Sequence, residues 1–237
     1  MLPKILCYTI HNYERKAEPP LNKKSYDILS SFTLKLIAIS SMLIDHIGYI
    51  FFPHILALRA IGRLAFPIFC FLIVEGFYHT RSHVNYLSRL CVFALISEIP
   101  FDLAFFHTII YLPYQNVFIT LALGLASLFC LEEMNTHKLY VIPLVLIWGA
   151  AYLVHCDYGI GGVILIDMFY LAREMPFIRL VLCTLTLYSF GRFELYGVLS
   201  MIPITLYNGR RGPNAKMFFY WFYPLHLLAL YAIGRYL

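Results

Sequence analysis

Apolar runs bounded by charged or turn-forming residues fill the chain from residue 34 onward. They predict helices at Leu34–Phe52, Leu56–Tyr78, Leu87–Phe106, Asn116–Leu131, Leu139–Val154, Tyr158–Leu171, Phe177–Phe190, Leu195–Tyr207 and Met217–Tyr236. A helix that spans a bilayer needs roughly 20 residues, and several of the later runs fall short of that. Those are expected to be tilted, re-entrant or shielded by their neighbours. The fold class that follows is all-α, a polytopic membrane helix bundle of about nine spanning helices, within a range of roughly eight to ten.

Composition supports this reading. The chain is 61% hydrophobic and 13% charged, with a mean hydropathy of +0.73. A soluble domain carries about a quarter charged residues, so too little polar surface is present to cover a water-soluble globule. Residues 1–33 differ in kind, with Lys4, Arg15, Lys16, Lys23 and Lys24 around Pro19 and Pro20 and no long apolar run. They are expected to form a basic cytoplasmic N-terminal arm that stays on the protein, because a signal peptide needs a continuous apolar core and a small-residue cleavage site. Residues 34–237 form the membrane domain. The cysteines make no CxxC pair and sit mostly in apolar runs, where they behave as small hydrophobes. They define neither a metal site nor a disulfide framework, and no nucleic-acid partner is expected.

Lysine and arginine accumulate on the cytoplasmic side of membrane proteins. With the N-terminus inside, Arg81, Arg89, Lys138, Arg173, Arg179, Arg210, Arg211 and Lys216 fall at inner loops or ends. The outer loops and ends receive only Arg59, Arg192 and Arg235.

Ionisable residues inside a spanning helix cost about 2.5–3.5 kcal/mol on insertion scales, so each calls for a reason. At about 1.5 Å of rise per residue, Asp45 and His46 lie roughly 10 Å below the outer end of the first helix. Arg63 has a similar depth in the second helix. Glu98 and Asp102, at i and i+4, share a face of the third. Asn116 and Thr120 lie on one face at the outer start of the fourth, and Tyr223 and His226 sit three apart near the middle of the ninth, around Pro224. Five helices thus place polar groups in one layer between the midplane and the outer surface, which reads as a polar cavity. Arg63 is a counter-ion for Asp45 or Glu98 in this reading. His46 and His226 each stand as a possible base or as a hydrogen-bonded packing residue.

Glu75 and Asp167, near inner helix ends, are expected at the interface or paired with basic residues. The glycines of 157–162 suit close packing at a helix start. The loop Tyr207-Asn208-Gly209-Arg210-Arg211-Gly212-Pro213, followed by Lys216, places arginine forks and exposed backbone amides on a short inner turn. That chemistry suits phosphate groups, and positive-inside charge alone also accounts for it.

The stretches Leu34–Ala38, Met42–Gly48, Ile61–Pro67, Glu75-Gly76, Ser97–Asp102, Asn116–Phe118, Tyr207–Gly209 and Tyr223–His226 together resemble the TraX family of integral-membrane pilin acetylases. The resemblance implies a bacterial inner-membrane enzyme that moves an acetyl group from acetyl-CoA, with no metal, to an acceptor amine such as a pilin N-terminus or another envelope acceptor. On that reading His46, with Asp45, Arg63, Glu98, Asp102, Asn116, Tyr223 and His226, forms the catalytic set. Asn208, Arg210, Arg211 and Lys216 would hold the CoA phosphates. The rival classes are a proton-coupled small-molecule transporter, since intramembrane Asp, Glu and His also relay protons, and a scaffold without chemistry. No inverted repeat supports the transporter.

Overall fold

The computed structural model describes residues 28–236. Most of the basic arm expected over residues 1–33 therefore lies outside the described residues. Its last six, 28–33, enter the bundle. Leu29 pairs with Tyr207 in an isolated bridge, and α1 starts at Ser31 rather than Leu34.

The described chain is helical, with no strand beyond two isolated bridges. The α-helices are α1 (Ser31–Ile50), α2 (Leu56–Gly62), α3 (Ala65–His79), α4 (His83–Phe106), α5 (Val117–Glu133), α6 (Val141–Leu153), α7 (Gly159–Leu171), α8 (Pro176–Phe190), α9 (Met201–Thr205) and α10 (Lys216–Gly234). Short 3-10 helices at Lys138–Tyr140 and Arg192–Ser200 precede α6 and α9. Side-chain caps open three helices: Ser30 Oγ accepts from Thr33 N–H, Ser82 Oγ from Asn85 N–H, and Asn116 Oδ1 from Phe118 N–H.

Every predicted run is helical, and two differ in form. The second predicted helix breaks at Arg63-Leu64 into α2 and α3. Pro67 has no N–H to bond the carbonyl four residues earlier, that of Arg63. Against that carbonyl packs Gly197, where a Cβ would lie 3.0 Å from Arg63 O. The eighth predicted helix, Leu195–Tyr207, is mostly the 3-10 segment, ending in the five-residue α9.

Helix α3 is the centre of the bundle. It is buried around most of its circumference, through Phe66, Ile68, Phe71, Val74 and Phe77, and packs on α1, α5, α7 and the second 3-10 helix. Helix α10 lies against both α4 and α1, closing the ring of helices around α3 and α5. Large apolar side chains such as Leu95, Leu146 and Leu185 face outward. Water would penalise that surface, and lipid does not.

Among the described residues, three stretches are long and apolar enough to cross a membrane: α1, α2 with α3 taken through the break (Leu56–His79), and α10. Shorter apolar helices cover Lys138–Leu153, Gly159–Leu171 and Pro176–Phe190. The 24-residue α4 has the length to join them, but carries Arg89, Glu98 and Asp102.

The loop after α9 folds back on the start of α1. Ser31 N–H and Phe32 N–H donate to the carbonyls of Arg210 and Arg211, at 2.8 and 3.1 Å. Two of the orphan amides of a helix start are satisfied in this way. The start of α1 and the 207–213 loop thereby sit at one end of the bundle, together with the end of α3. Asp45 and His46 lie towards the other.

Candidate functional site: two cavities with a shared wall

At the far end of α1 a cavity of about 610 Å³ opens among α1, α2, α4 and the loops before α5 and α7. At the start of α1 lies a second, of about 830 Å³. Met42, Phe69, Val117 and Tyr223 wall both cavities. These four side chains form a waist between them, one helical turn from His46 along α1 and three residues from His226 along α10.

Asp45 and His46 are adjacent, so their side chains diverge by about 100°, and each meets different partners. Asp45 accepts from Arg59 Nη1 at 2.7 Å and from Arg63 Nη2 at 2.8 and 2.9 Å. Arg63 Nη1 also donates to Glu194 Oε1 at 2.7 Å. A Cβ on Gly62 would fall 2.2 Å from Asp45 Cβ, so this close approach of α2 to α1 requires glycine.

His46 Nδ1 lies 2.8 Å from His226 Nε2, and His226 Nδ1 lies 2.8 Å from the Phe222 carbonyl. A carbonyl can only accept, so His226 Nδ1 carries a hydrogen and donates. In the neutral pair His226 Nε2 is then an acceptor, and His46 Nδ1 donates to it. This assignment of tautomers follows from the hydrogen-bond pattern. It leaves His46 Nε2 unprotonated, on the wall of the far cavity, with no hydrogen-bond partner among the described residues. The ring of Tyr223 stands beside both histidines, with centroids 6.4 and 5.7 Å away.

The structure gives Glu98, Asp102 and Asn116 work away from the cavity wall. Asn116 is fully buried. Its Oδ1 caps α5, and both amide hydrogens are committed, to the Ala94 carbonyl at 2.8 Å and to Glu98. Asp102 accepts from Tyr111 N–H at 2.7 Å, which ties the loop after α4 to its own helix. None of the three lines the far cavity, and Arg63 pairs with Asp45 and Glu194, not with Glu98.

Two expectations about other acids divide. Glu75 is buried and meets Arg173 at 3.2 Å, a basic partner at its own end of the bundle. Asp167 has no basic partner among the described residues and accepts from Ser127 Oγ and Trp148 Nε1 at 2.5 and 2.9 Å. Of the 157–162 glycines, Gly161 and Gly162 are in tight contact with Phe190 and Thr120, whereas Gly159 has open space and a φ of +49°.

The second cavity is basic. Lys35, Arg81, Arg89, Arg211 and Lys216 line it against the single carboxylate of Glu75. Arg89 Nε is buried there with no acceptor among the described residues, and Arg211 Nη2 donates to Asn214 Oδ1 at 3.1 Å. Of the four residues expected to bind phosphate, Arg211 and Lys216 reach this cavity. Asn208 and Arg210 shape the loop beside it, since Asn208 Oδ1 accepts from Arg210 N–H at 2.9 Å.

Sequence reasoning missed Arg59, Asp157 and Glu194 in the far cavity, and Lys35, Arg81 and Arg89 in the basic one. Arg59 stands four residues before Arg63, on the same helical face, and that spacing was the available signal. Glu194 and Asp157 sit in connections whose place over the cavity no local pattern reveals.

The class defined here is a helical membrane protein with a basic cavity towards one end of the bundle and a histidine-bearing chamber towards the other, walled in common by four side chains. Residues 30–234 match the family model described as "TraX protein", and the chain belongs to the TraX family. It is 30% identical to a protein named "Probable fimbrial assembly protein FimC, serogroup H1" of Dichelobacter nodosus, over 85% of this chain and 94% of that one. It is 24% identical to "Uncharacterized protein RP591" of Rickettsia prowazekii (strain Madrid E), over 79% of this chain and 71% of that one. No solved structure matches it.

Proposed function

We propose that this protein is a multi-pass acetyltransferase of the bacterial inner membrane, with its N-terminus cytoplasmic, that carries acetyl groups from acetyl-CoA to an amine. The observation that carries this reading is the shared wall: Met42, Phe69, Val117 and Tyr223 line both a strongly basic cavity and a chamber whose wall holds His46. Lys35 and His46 lie on the same helix eleven residues apart, roughly 16 Å along its axis. An extended pantetheine arm covers that distance. The CoA phosphates stay among Lys35, Arg81, Arg89, Arg211 and Lys216, where guanidinium forks and ammonium groups suit them. Arg89 Nε, buried with no acceptor among the described residues, is a donor in need of such a ligand. A volume of about 830 Å³ is in the range of cofactor sites.

The thioester then lies at the waist. The acceptor amine, in the far chamber, attacks the thioester carbonyl while His46 Nε2 takes the proton it sheds. Tyr223, which walls both cavities, is the hydroxyl available to the developing oxyanion. The C–S bond breaks as the amide forms, and the proton on His46 passes to the departing thiolate, giving free CoA. Asp45, Arg59 and Arg63 lock α1 to α2 and so hold His46 in register.

A role in pilus biogenesis agrees with the family and with the fimbrial-assembly name of the Dichelobacter relative, and makes a pilin-like N-terminus the first acceptor to try. The test is labelled acetyl transfer by the reconstituted protein, wild type against His46→Ala. Binding of CoA with no transfer to any amine, combined with CoA-independent flux of a small anion through the bundle, would instead make the hollow interior that of a transporter.

A further inference from the structure

The chamber around His46 has a chemical character of its own. Two guanidinium groups and three carboxylates line it, Arg59 and Arg63 against Asp45, Glu194 and Asp157, which leaves one net negative charge. Asp45 and Glu194 are held by the arginines. Asp157 makes no ion pair among the described residues. Its Oδ1 accepts from the Tyr114 hydroxyl at 2.9 Å, and Oδ2 has no partner among the described residues.

The backbone that carries Asp157 is held under strain. His155 and Tyr158 have φ of 51° and 62°, the left-handed region that non-glycine residues rarely enter. Three bonds fix the turn: Gln115 N–H to His155 O at 3.3 Å, Asp157 N–H to Gln115 O at 2.9 Å, and the Thr120 hydroxyl to Asp157 O. Strain of this kind persists where surrounding structure over-determines it, and such sites cluster at functional centres. Here the result is one fixed carboxylate at the chamber wall. Around it stand the rings of Tyr114, Tyr158, Phe66 and Phe190, with Tyr158 stacked on Phe66. A carboxylate among aromatic faces is a receptor for a cation.

We propose that Asp157 is the seat of the acceptor's ammonium group, and so the residue that makes the chamber select a cationic amine over a neutral hydroxyl. This rests on the acetyltransferase reading. The seat draws in the ammonium form, and the attacking species is the neutral amine left when one proton passes to Asp157. That proton later leaves to solvent, while the second N–H proton goes to His46 as described above. Burial supports this exchange by pushing the Asp157 carboxyl up to about 6, against the opposing effects of the Tyr114 hydrogen bond and Arg63.

The experiment uses the full chain in detergent or lipid. Binding of a short peptide with a free N-terminal amine is compared with its N-acetylated form, followed by acetyl transfer to the free peptide. Wild type is set beside Asp157→Asn and Asp157→Glu. The expected result is preference for the free amine, lost in Asp157→Asn, with KM for the peptide raised about tenfold or more and acetyl-CoA binding unchanged. Asp157→Glu restores part of the preference. Equal binding of both peptides by wild type, or an unchanged peptide KM in Asp157→Asn, would overturn the seat. Amine preference without any acetyl transfer would keep the seat and sink the acetyltransferase reading, so the two failures are distinguishable.

Discussion

The pairing of His46 with His226 yields the sharpest prediction. Replacing His226 with Leu removes the only acceptor that His46 Nδ1 has among the described residues, at 2.8 Å. Two consequences follow. The His46 N–H is left in a half-buried site without a partner, which costs about 1–3 kcal/mol of stability. The ring is also freed to change tautomer and orientation, so Nε2 is no longer held unprotonated towards the chamber. Partners that orient metal-bound histidines are worth about 10–100-fold, a scale taken over for this pair, while loss of the base itself costs about 10²–10⁴-fold. His226→Leu should therefore lower kcat by about 10–100-fold, with KM for acetyl-CoA unchanged, and His46→Ala should lower it further. His226→Gln is the informative control, because its amide oxygen can accept from His46 Nδ1–H and restore the orientation. The assay is steady-state acetyl transfer in reconstituted vesicles, with folding checked by thermal unfolding. Wild-type kcat in a folded His226→Leu, or equal losses in His226→Leu and His226→Gln, would refute the reasoning.

Three further outcomes are expected. Gly62→Ala places a methyl 2.2 Å from Asp45 Cβ, forces α2 away from α1 and parts the buried ion pairs; a loss of about 3 kcal/mol is expected, and an unchanged unfolding temperature would contradict the account of the α1–α2 contact. Single glutamine variants of Arg89 and Lys216 should raise KM for acetyl-CoA about tenfold each, with kcat held and the effect fading at high salt; a change in kcat alone would count against phosphate binding there. Val117→Trp should plug the waist, cutting transfer by at least about a hundredfold, as loss of a near-attack geometry does, while CoA still binds; transfer at the wild-type rate would exclude a path between the cavities.

Much of the fold was legible because apolar runs bounded by charge are a local signal, and every predicted run is helical. The departures have local physical causes that the runs conceal. Pro67 sits inside a strongly apolar stretch, so hydropathy carries straight through the break at Arg63. Residues 192–200 have enough apolar content to resemble a helix, and apolar content does not distinguish an α-helix from a 3-10 segment.

The site was legible only in part. Depth along a helix can be counted, so Asp45, His46, Arg63 and His226 could be placed in one layer. Azimuth around the bundle cannot be read this way. It depends on which helices are neighbours, and α1 meets α10 across 180 residues of chain between His46 and His226. The same blindness put Glu98, Asp102 and Asn116 with the others, although their face of α4 and α5 turns to a loop and a helix cap. That the two cavities share four walling residues from four helices was invisible to any local pattern.

The central claim is that acetyl groups travel from a basic mouth to His46. Its most direct test is transfer of labelled acetyl from acetyl-CoA to a free-amine pilin-like peptide by the purified protein in lipid vesicles, wild type beside His46→Ala. The account predicts label in the peptide with wild type and a loss of at least about a hundredfold in a His46→Ala protein that still folds and still binds CoA. Undiminished transfer by His46→Ala, or a wild-type protein that neither binds acetyl-CoA nor labels any acceptor, would contradict it.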